Sequence, residues 1–341
     1  MTTIFVTGGA GFIGSNFCRY IYKNRPNLNI IILDALTYAG NIENIKDIIL
    51  DKERVQFWQG DVNDVELVHD LTSISDFVVH FAAETHVARS LYANRVFFHT
   101  DIMGTQSICS AVQKFKNRVR RFIHISTSEV YGTSLTEPMD EEHPLNPTSP
   151  YAGAKAGADR TVCSYCKAYN IPAVTVRPFN QYGPNQHLEK VVPRFITNLI
   201  NDEPLSIHGD GSARRDWVWV GDTVKGIIAL LDAPEERVIG ETFNLGTGIS
   251  TSVLDLADII GGMMGKSGKL DYMTERLGQV QNHISSTEKL YLATGFKAET
   301  PLVEGLKKTI EWYEAHREWW KNQTWLKKVP VRTENNKTLY W

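Results

Sequence analysis

The run Thr7-Gly8-Gly9-Ala10-Gly11-Phe12-Ile13-Gly14 sits directly behind the apolar stretch Ile4-Phe5-Val6. A second apolar stretch, Ile30-Ile31-Ile32-Leu33, closes on Asp34, twenty residues after Gly14. The order strand, glycine turn, helix, strand, acid admits few folds: it opens a parallel α/β sheet whose first crossover helix follows the glycines. A glycine triplet alone would be an ordinary turn, but this context gives each part a task on a dinucleotide. Glycines let the backbone turn tightly and approach a pyrophosphate, and the following helix N-terminus offers free N–H groups to its charge. A carboxylate at Asp34 accepts hydrogen bonds from ribose hydroxyls and repels a 2′-phosphate. Gly8, Gly11, Phe12, Ile13, Gly14 and Asp34 therefore predict a cofactor site for NAD rather than NADP.

The first half of the chain keeps alternating β-branched runs with helical patterns. Residues 55–58 lead into Gly60-Asp61-Val62, a turn expected to meet the adenine through Asp61 and Val62. Residues 77–81 read as a buried strand ending in Ala82-Ala83, small residues that let the backbone approach the cofactor. Residues 121–126 and 173–177 are two more strands, with helices around 64–72, 94–116 and 151–169. Beyond residue 177 prolines and glycines punctuate short elements, as in a lobe that carries loops. The expected fold is α/β: a Rossmann-like doubly wound parallel sheet over 1–176, with a smaller mixed α/β substrate-binding lobe over 177–341 and interleaved boundaries. An amphipathic helix at 303–321 closes the pattern, with Trp312, Tyr313, Trp319 and Trp320 as packing residues.

Composition narrows the function. With 42% hydrophobic and 22% charged residues among 341, the chain reads as a soluble globular enzyme. A net charge of −3 without a long basic run argues against nucleic acid, and no apolar stretch approaches a membrane span. The glycine motif begins so early that no signal peptide is expected, which makes the cytoplasm the expected compartment. Cys163 and Cys166 have redox or zinc spacing, but they fall in an apolar-periodic helix without a second pair. They read as buried small residues, and no metal is expected.

Tyr151 and Lys155 lie four apart on one helix face. Tyrosine titrates near about 10, so as a base it needs help; a neighbouring ammonium favours phenolate and can also hold a ribose. Alone, the pair could be a surface lysine beside a half-buried tyrosine. Upstream, however, a strand ends in Thr127-Ser128-Glu129-Val130-Tyr131-Gly132, at the carboxyl edge where open α/β sheets put their ligands. Thr127, Ser128, Glu129, Tyr151 and Lys155 form the candidate catalytic group, with Tyr151 and Lys155 also touching cofactor.

On these motifs the chain resembles the extended short-chain dehydrogenase/reductases, and within them the dTDP-glucose 4,6-dehydratases of the nucleotide-sugar epimerase/dehydratase family. The likeness includes residues 34–41, Ala82-Ala83-Glu84-Thr85-His86-Val87, Ser149-Pro150-Tyr151, Asn180-Gln181-Tyr182-Gly183-Pro184, Glu189-Lys190-Val191-Val192-Pro193, Arg215-Asp216-Trp217 and Glu318-Trp319-Trp320. The resemblance implies tightly held NAD and a nucleotide-diphosphate sugar oxidised at C4. Tyr151 would take the 4-OH proton, and Glu129 the C5 proton as water leaves C6. Thr127 would hydrogen-bond the 4-oxygen. Arg215 and Arg276 would grip the diphosphate near Asn180, and Glu84, His86, Arg89, Lys190 and Asn244 complete the implied substrate set. It also implies a homodimer packed through the helices near 94–116 and 151–169.

The pattern breaks at three places: Ser128, Ala88 and Gln279 stand where the dehydratases carry Asp, Asp and His. The acid expected to protonate the departing hydroxyl is missing. Thr-Ser-Glu resembles the UDP-glucuronate decarboxylases, whose loss of CO₂ needs no such acid. Dehydration ranks first, decarboxylation second and 4-epimerisation third. A non-catalytic NAD-binding regulator is disfavoured by the intact tyrosine, lysine and glutamate. A dehydrogenase with a dissociable cofactor would instead accumulate NADH.

Overall fold

Short β-branched runs buried on both faces belong in a sheet covered on two sides. Ile30, Ile31 and Ile32 are all buried, and so are Val78, Val79, Phe122 and Ile123. A computed structural model describes residues 2–275, 277–327, 330–332 and 338–340. Its strands are β1 (Thr2–Thr7), β2 (Leu28–Asp34), β3 (Val55–Gln59), β4 (Phe77–His80), β5 (Arg121–Ile125) and β6 (Ala173–Pro178). There follow β7 (Asn180–Tyr182), β8 (Leu205–His208), β9 (Arg214–Trp219), β10 (Thr242–Leu245), β11 (Ser250–Ser252), β12 (Leu270–Met273) and β13 (Asn282–His283).

Seven strands form one parallel sheet in the order β10-β6-β5-β4-β1-β2-β3. The order in which strands are added reverses between β1 and β4, which opens a crevice at their carboxyl ends. Register places Thr7 level with both Leu33 and His80, so the residues following all three strands arrive at one edge. Helices Phe12–Asn24 and Val220–Asp232 cover one face; Val65–Ser73, Gly104–Lys114 and Pro150–Tyr169 cover the other. A separate core around Leu199, Trp217, Ile260, Ile310 and Tyr313 supports the second lobe. There β9 pairs with β7, β11 and β13, and β8 with β12. β10 and the helix Val220–Asp232 both follow residue 177 yet pack into the first sheet and its face.

Helix Pro150–Tyr169 shows why local chemistry and packing agree. Ser149 Oγ accepts the Ala152 N–H, Pro150 supplies a pre-set first turn, and Asn170 ends the helix in the left-handed region. Its buried face carries Tyr151, Ala154, Lys155, Ala158, Asp159 and Val162. Beneath it, Arg177 Nε donates to Asp159 at 2.8 Å, Arg177 Nη1 to Tyr131 at 2.8 Å, and Tyr131 Oη to Asn244 at 2.7 Å.

Two helices differ from their sequence expectation. The stretch read as one helix over 94–116 divides into Asn94–Phe97, a π-helical turn Phe98–Met103 and Gly104–Lys114. The widened turn carries Asp101, whose carboxylate accepts the Glu84 N–H at 2.8 Å. The helix read over 303–321 ends at Ala315, and a short helix Arg317–Trp320 follows. Cys163 and Cys166 are half-buried and unpaired rather than buried, because that end of the helix lies at the margin of the second core. Among the described residues no cluster of His, Cys, Asp or Glu could hold a metal ion.

Candidate active site

The carboxyl edge of the sheet holds a cleft, and its glycines are there for close approach. Gly8 has φ of +70°, and a Cβ on it would lie 2.6 Å from Ala82 N. A Cβ on Gly14 would lie 2.2 Å from Gly8 O. Gly11 precedes the helix Phe12–Asn24 without any side-chain cap, which leaves the first N–H groups of Phe12, Ile13 and Gly14 turned to the cleft. Asp34 ends β2; its Oδ2 accepts from Ala10 N at 2.9 Å and Oδ1 from Leu36 N at 2.8 Å. Burial raises its carboxyl above the ordinary range, and these two N–H groups oppose the rise. Asp61, Val62, Ala82 and Ala83 line the same cleft. A helix N-terminus without a side-chain cap and a carboxylate with spare lone pairs, separated by glycines whose close contacts leave no room for a side chain, fit a dinucleotide.

At the far end of the cleft, the turn after β5 carries Thr127, Ser128 and Glu129. Thr127 Oγ1 accepts the Glu129 N–H at 3.2 Å and is also hydrogen-bonded to Tyr151. Lys155 Nζ donates to Ile125 O at 2.7 Å, which fixes its ammonium at the end of β5. Burial pushes Tyr151 well above the ordinary phenol value; Thr127 opposes this, while Asp101 and Glu129 add to it. Burial lowers the Lys155 ammonium, and the Asp101 and Asp159 carboxylates resist that lowering.

The opposite wall is a buried charge cluster. Glu189 lies 3.1 Å from His86 Nε2 and 3.2 Å from Lys190 Nζ, and accepts from Tyr38 Oη at 3.2 Å. Burial alone would raise its carboxyl, but Lys190, His86 and His187 hold it down to about 2. Lys190 also donates to Thr85 O at 3.0 Å. Glu84 is raised by burial and pairs with Arg89 at 3.3 Å. Arg215, on β9, enters the cleft near Glu129; burial lowers its guanidinium and Glu129 opposes this. Asn180, on β7, lines the cleft between the two walls.

The cleft thus gathers nearly all the residues singled out from the sequence. Arg89 is an exception: its guanidinium lies over the Tyr38 ring at 5.1 Å and reaches the cleft only through Glu84. Asn244 is a correction. It is fully buried on β10, accepts from Tyr131, donates Nδ2 to Met139 O at 3.1 Å, and does not border the cleft. Its polar atoms are consumed by the joint between β10 and the loop after β5. Arg276 lies outside the described residues. Sequence reasoning missed Asp101, which sits in an unforeseen π-turn, and His283, which sits on a two-residue strand with no pattern to announce it.

Residues 5–309 match the protein family described as GDP-mannose 4,6 dehydratase. The low-salt glycan biosynthesis protein Agl12 of Haloferax volcanii is 38% identical over 311 residues, covering 91% of this chain and 98% of its own. The dTDP-glucose 4,6-dehydratase of an Actinoplanes species is 35% identical over 323 residues, covering 93% and 99%. The crystal structure of the Streptomyces venezuelae dTDP-glucose 4,6-dehydratase DesIV, solved with NAD bound, superimposes with a TM-score of 0.89 at 35% identity, covering 94% and 99%.

Proposed function

The chain belongs to the GDP-mannose 4,6 dehydratase family, and from that premise we propose that it is an NAD-dependent nucleotide-diphosphosugar 4,6-dehydratase. The observation that carries this reading is one cleft in which the Thr127–Tyr151 pair and Glu129 stand at the end of a dinucleotide cradle. The glycine turn and Asp34 would hold NAD, which when bound would supply hydride transfer at sugar C4 and C6. The protein's own groups handle the protons. Tyr151 receives the 4-hydroxyl proton, and the positive charge that an oxidised cofactor would bring to the cleft would favour its phenolate. Thr127 holds the 4-oxygen as it becomes a carbonyl. That carbonyl acidifies C5–H, and Glu129 removes the proton as the C6–O bond breaks. Lys155, held by the Ile125 carbonyl, would offer its ammonium to the cofactor ribose. Arg215 and Lys190 offer cations to the diphosphate, for which a guanidinium's paired donors are suited.

The product is a 4-keto-6-deoxy sugar on a dTDP or UDP carrier. The enzyme acts in the cytoplasm as a homodimer, packed through the helical segments 94–114 and 150–169. Phe98 and Met103, apolar and exposed in the π-helical turn of the first segment, support the dimer. No helix among the described residues is long and apolar enough to cross a membrane.

Incubation with dTDP- and UDP-linked glucose, N-acetylglucosamine and glucuronate, followed by mass spectrometry, tests the reading. Loss of water is expected. Release of CO₂ from a uronate alone, or unchanged mass with altered stereochemistry, would refute it. Glu129→Gln should abolish water loss while C4 oxidation stays visible as reduced-cofactor absorbance. Tyr151→Phe should stop both.

A further inference from the structure

One buried pair stands behind the cleft and has no role in the steps above. Ser128 lines the cleft, and its Oγ lies 3.3 Å from Nδ1 of the buried His283. The other ring nitrogen, Nε2, lies 2.7 Å from the Gly132 carbonyl oxygen. A carbonyl only accepts, so Nε2 carries a proton. Nδ1 is then the nitrogen that can gain or lose one, and its neighbour is Ser128. Two features fix the imidazole in this attitude. β13 runs beside β9 with His283 opposite Arg215, and the Phe179 ring packs against His283 at 5.9 Å between centroids.

Resting on the dehydratase reading, we propose that His283 is the proton source for the departing C6 hydroxyl and delivers it through Ser128. Nδ1–H of the imidazolium passes its proton to Ser128 Oγ as the Ser128 hydroxyl proton passes to O6. The C6–O6 bond breaks with its electron pair staying on oxygen, which leaves as water. In the same elimination Glu129 takes the C5 proton, and the C5–H pair becomes the C5–C6 double bond. His283 ends neutral and Glu129 protonated, so protons and electrons balance within the site. Serine has no acidity suited to this task on its own. A histidine behind it supplies what a carboxylic acid at position 128 would otherwise provide.

The surroundings set the pH dependence. Burial lowers the His283 pKa below the ordinary imidazole value; the Glu129 carboxylate opposes this, and Arg215 and His143 reinforce it. These are the charged and titratable groups facing the ring from the turn after β5, from β9 and from the segment preceding helix Pro150–Tyr169. The cation is a minority species at neutral pH, and a stronger acid than free imidazolium when it forms. Because the protonated form acts, water loss should slow as pH rises through and above this lowered pKa.

The test begins with wild-type enzyme and dTDP- or UDP-glucose. Epimerisation without water loss at this stage refutes the dehydratase reading, and the inference with it. Once water loss is established, His283→Gln should keep cofactor reduction within about threefold yet slow water loss by about 10²-fold, the ordinary worth of a placed acid. It should also erase the fall in that step's rate as pH rises. Ser128→Ala should match it, and the double variant should be no slower than either single one, as for two groups acting as a unit. Ser128→Asp added to His283→Gln should restore water loss, which a merely structural role for His283 does not predict. Water loss in His283→Gln within about threefold of wild type, or C4 oxidation slowed as much as water loss, overturns the proposal.

Discussion

Replacing Gly8 by alanine tests whether the cofactor cradle depends on backbone contact between β1 and β4. At φ of +70° an L-residue pays about 1–2 kcal/mol in backbone strain. The new Cβ would sit 2.6 Å from Ala82 N and 2.8 Å from Ala82 Cα and Phe81 C. These are backbone atoms that cannot rotate aside. Ordinary contact begins at 3.4 Å, so the end of β4 must retreat by about 0.8 Å. Forcing one extra methyl into a packed site costs about 1–3 kcal/mol, which brings the total to about 2–5 kcal/mol. The retreat falls on the Ala82 N–H, which donates to Thr7 Oγ1 at 3.3 Å, and on the wall that meets the dinucleotide. NAD affinity should therefore fall at least about tenfold, equivalent to about 1.4 kcal/mol. Urea midpoints and calorimetric NAD titration measure the two effects. Gly262→Ala is the control: it lies exposed in helix Val253–Met263 with nothing near its would-be Cβ. It should gain up to about 1 kcal/mol. If Gly8→Ala matches wild type in stability and NAD affinity, close approach at this turn is not what glycine provides.

Three further outcomes follow from the same structure. Asp34→Ala should weaken NAD and reduce discrimination against NADP in parallel titrations; equal affinity of the native protein for both would contradict the assignment. The Glu189 carboxyl, held to about 2 against an ordinary 4.5, stays ionised in the fold where the unfolded chain would protonate it. Its contribution is complete above that ordinary value and is lost as pH falls toward 2, so Glu189→Gln should shrink the drop in urea midpoint between about pH 5 and about pH 3. Light scattering should report a dimer at micromolar protein, and Phe98→Glu should shift it toward monomer; a native monomer would refute the proposed packing.

What could be read from the sequence was local. Gly8 to Gly14 and Asp34 are legible because strand, turn, helix and acid follow one another at fixed spacing. Tyr151 and Lys155 are legible because one helix turn sets their separation. The outer boundaries of the early strands and helices agree with their apolar periods to within a residue or two. Contacts between distant short segments were not legible. Thr242–Leu245 is too short to show a period, so its place beside β6, and the use of Asn244 in that joint, depend on pairing across a long loop. His283 meets Ser128 only because β13 docks on β9. The π-turn at Phe98–Met103 leaves no mark in a helical pattern, since inserting one residue's worth of turn preserves most of the apolar face.

The late arrival of β10 bears on how the chain is made. β6 ends at Pro178 and its outer neighbour begins at Thr242, so the intervening residues must be synthesised before that edge can be covered. At about 5–20 residues per second this takes roughly 3–13 seconds. Throughout that interval β6 presents unpaired N–H and C=O groups, the kind of edge that recruits foreign strands. Tyr131 meanwhile lacks the Asn244 acceptor for its hydroxyl proton, while Arg177 donates to the same oxygen. The nucleotide-binding half therefore cannot be completed on the ribosome ahead of the substrate lobe, although its glycine turn emerges first. Nascent chains arrested before residue 242 should be cut readily by protease, whereas chains arrested well past residue 245 should resist.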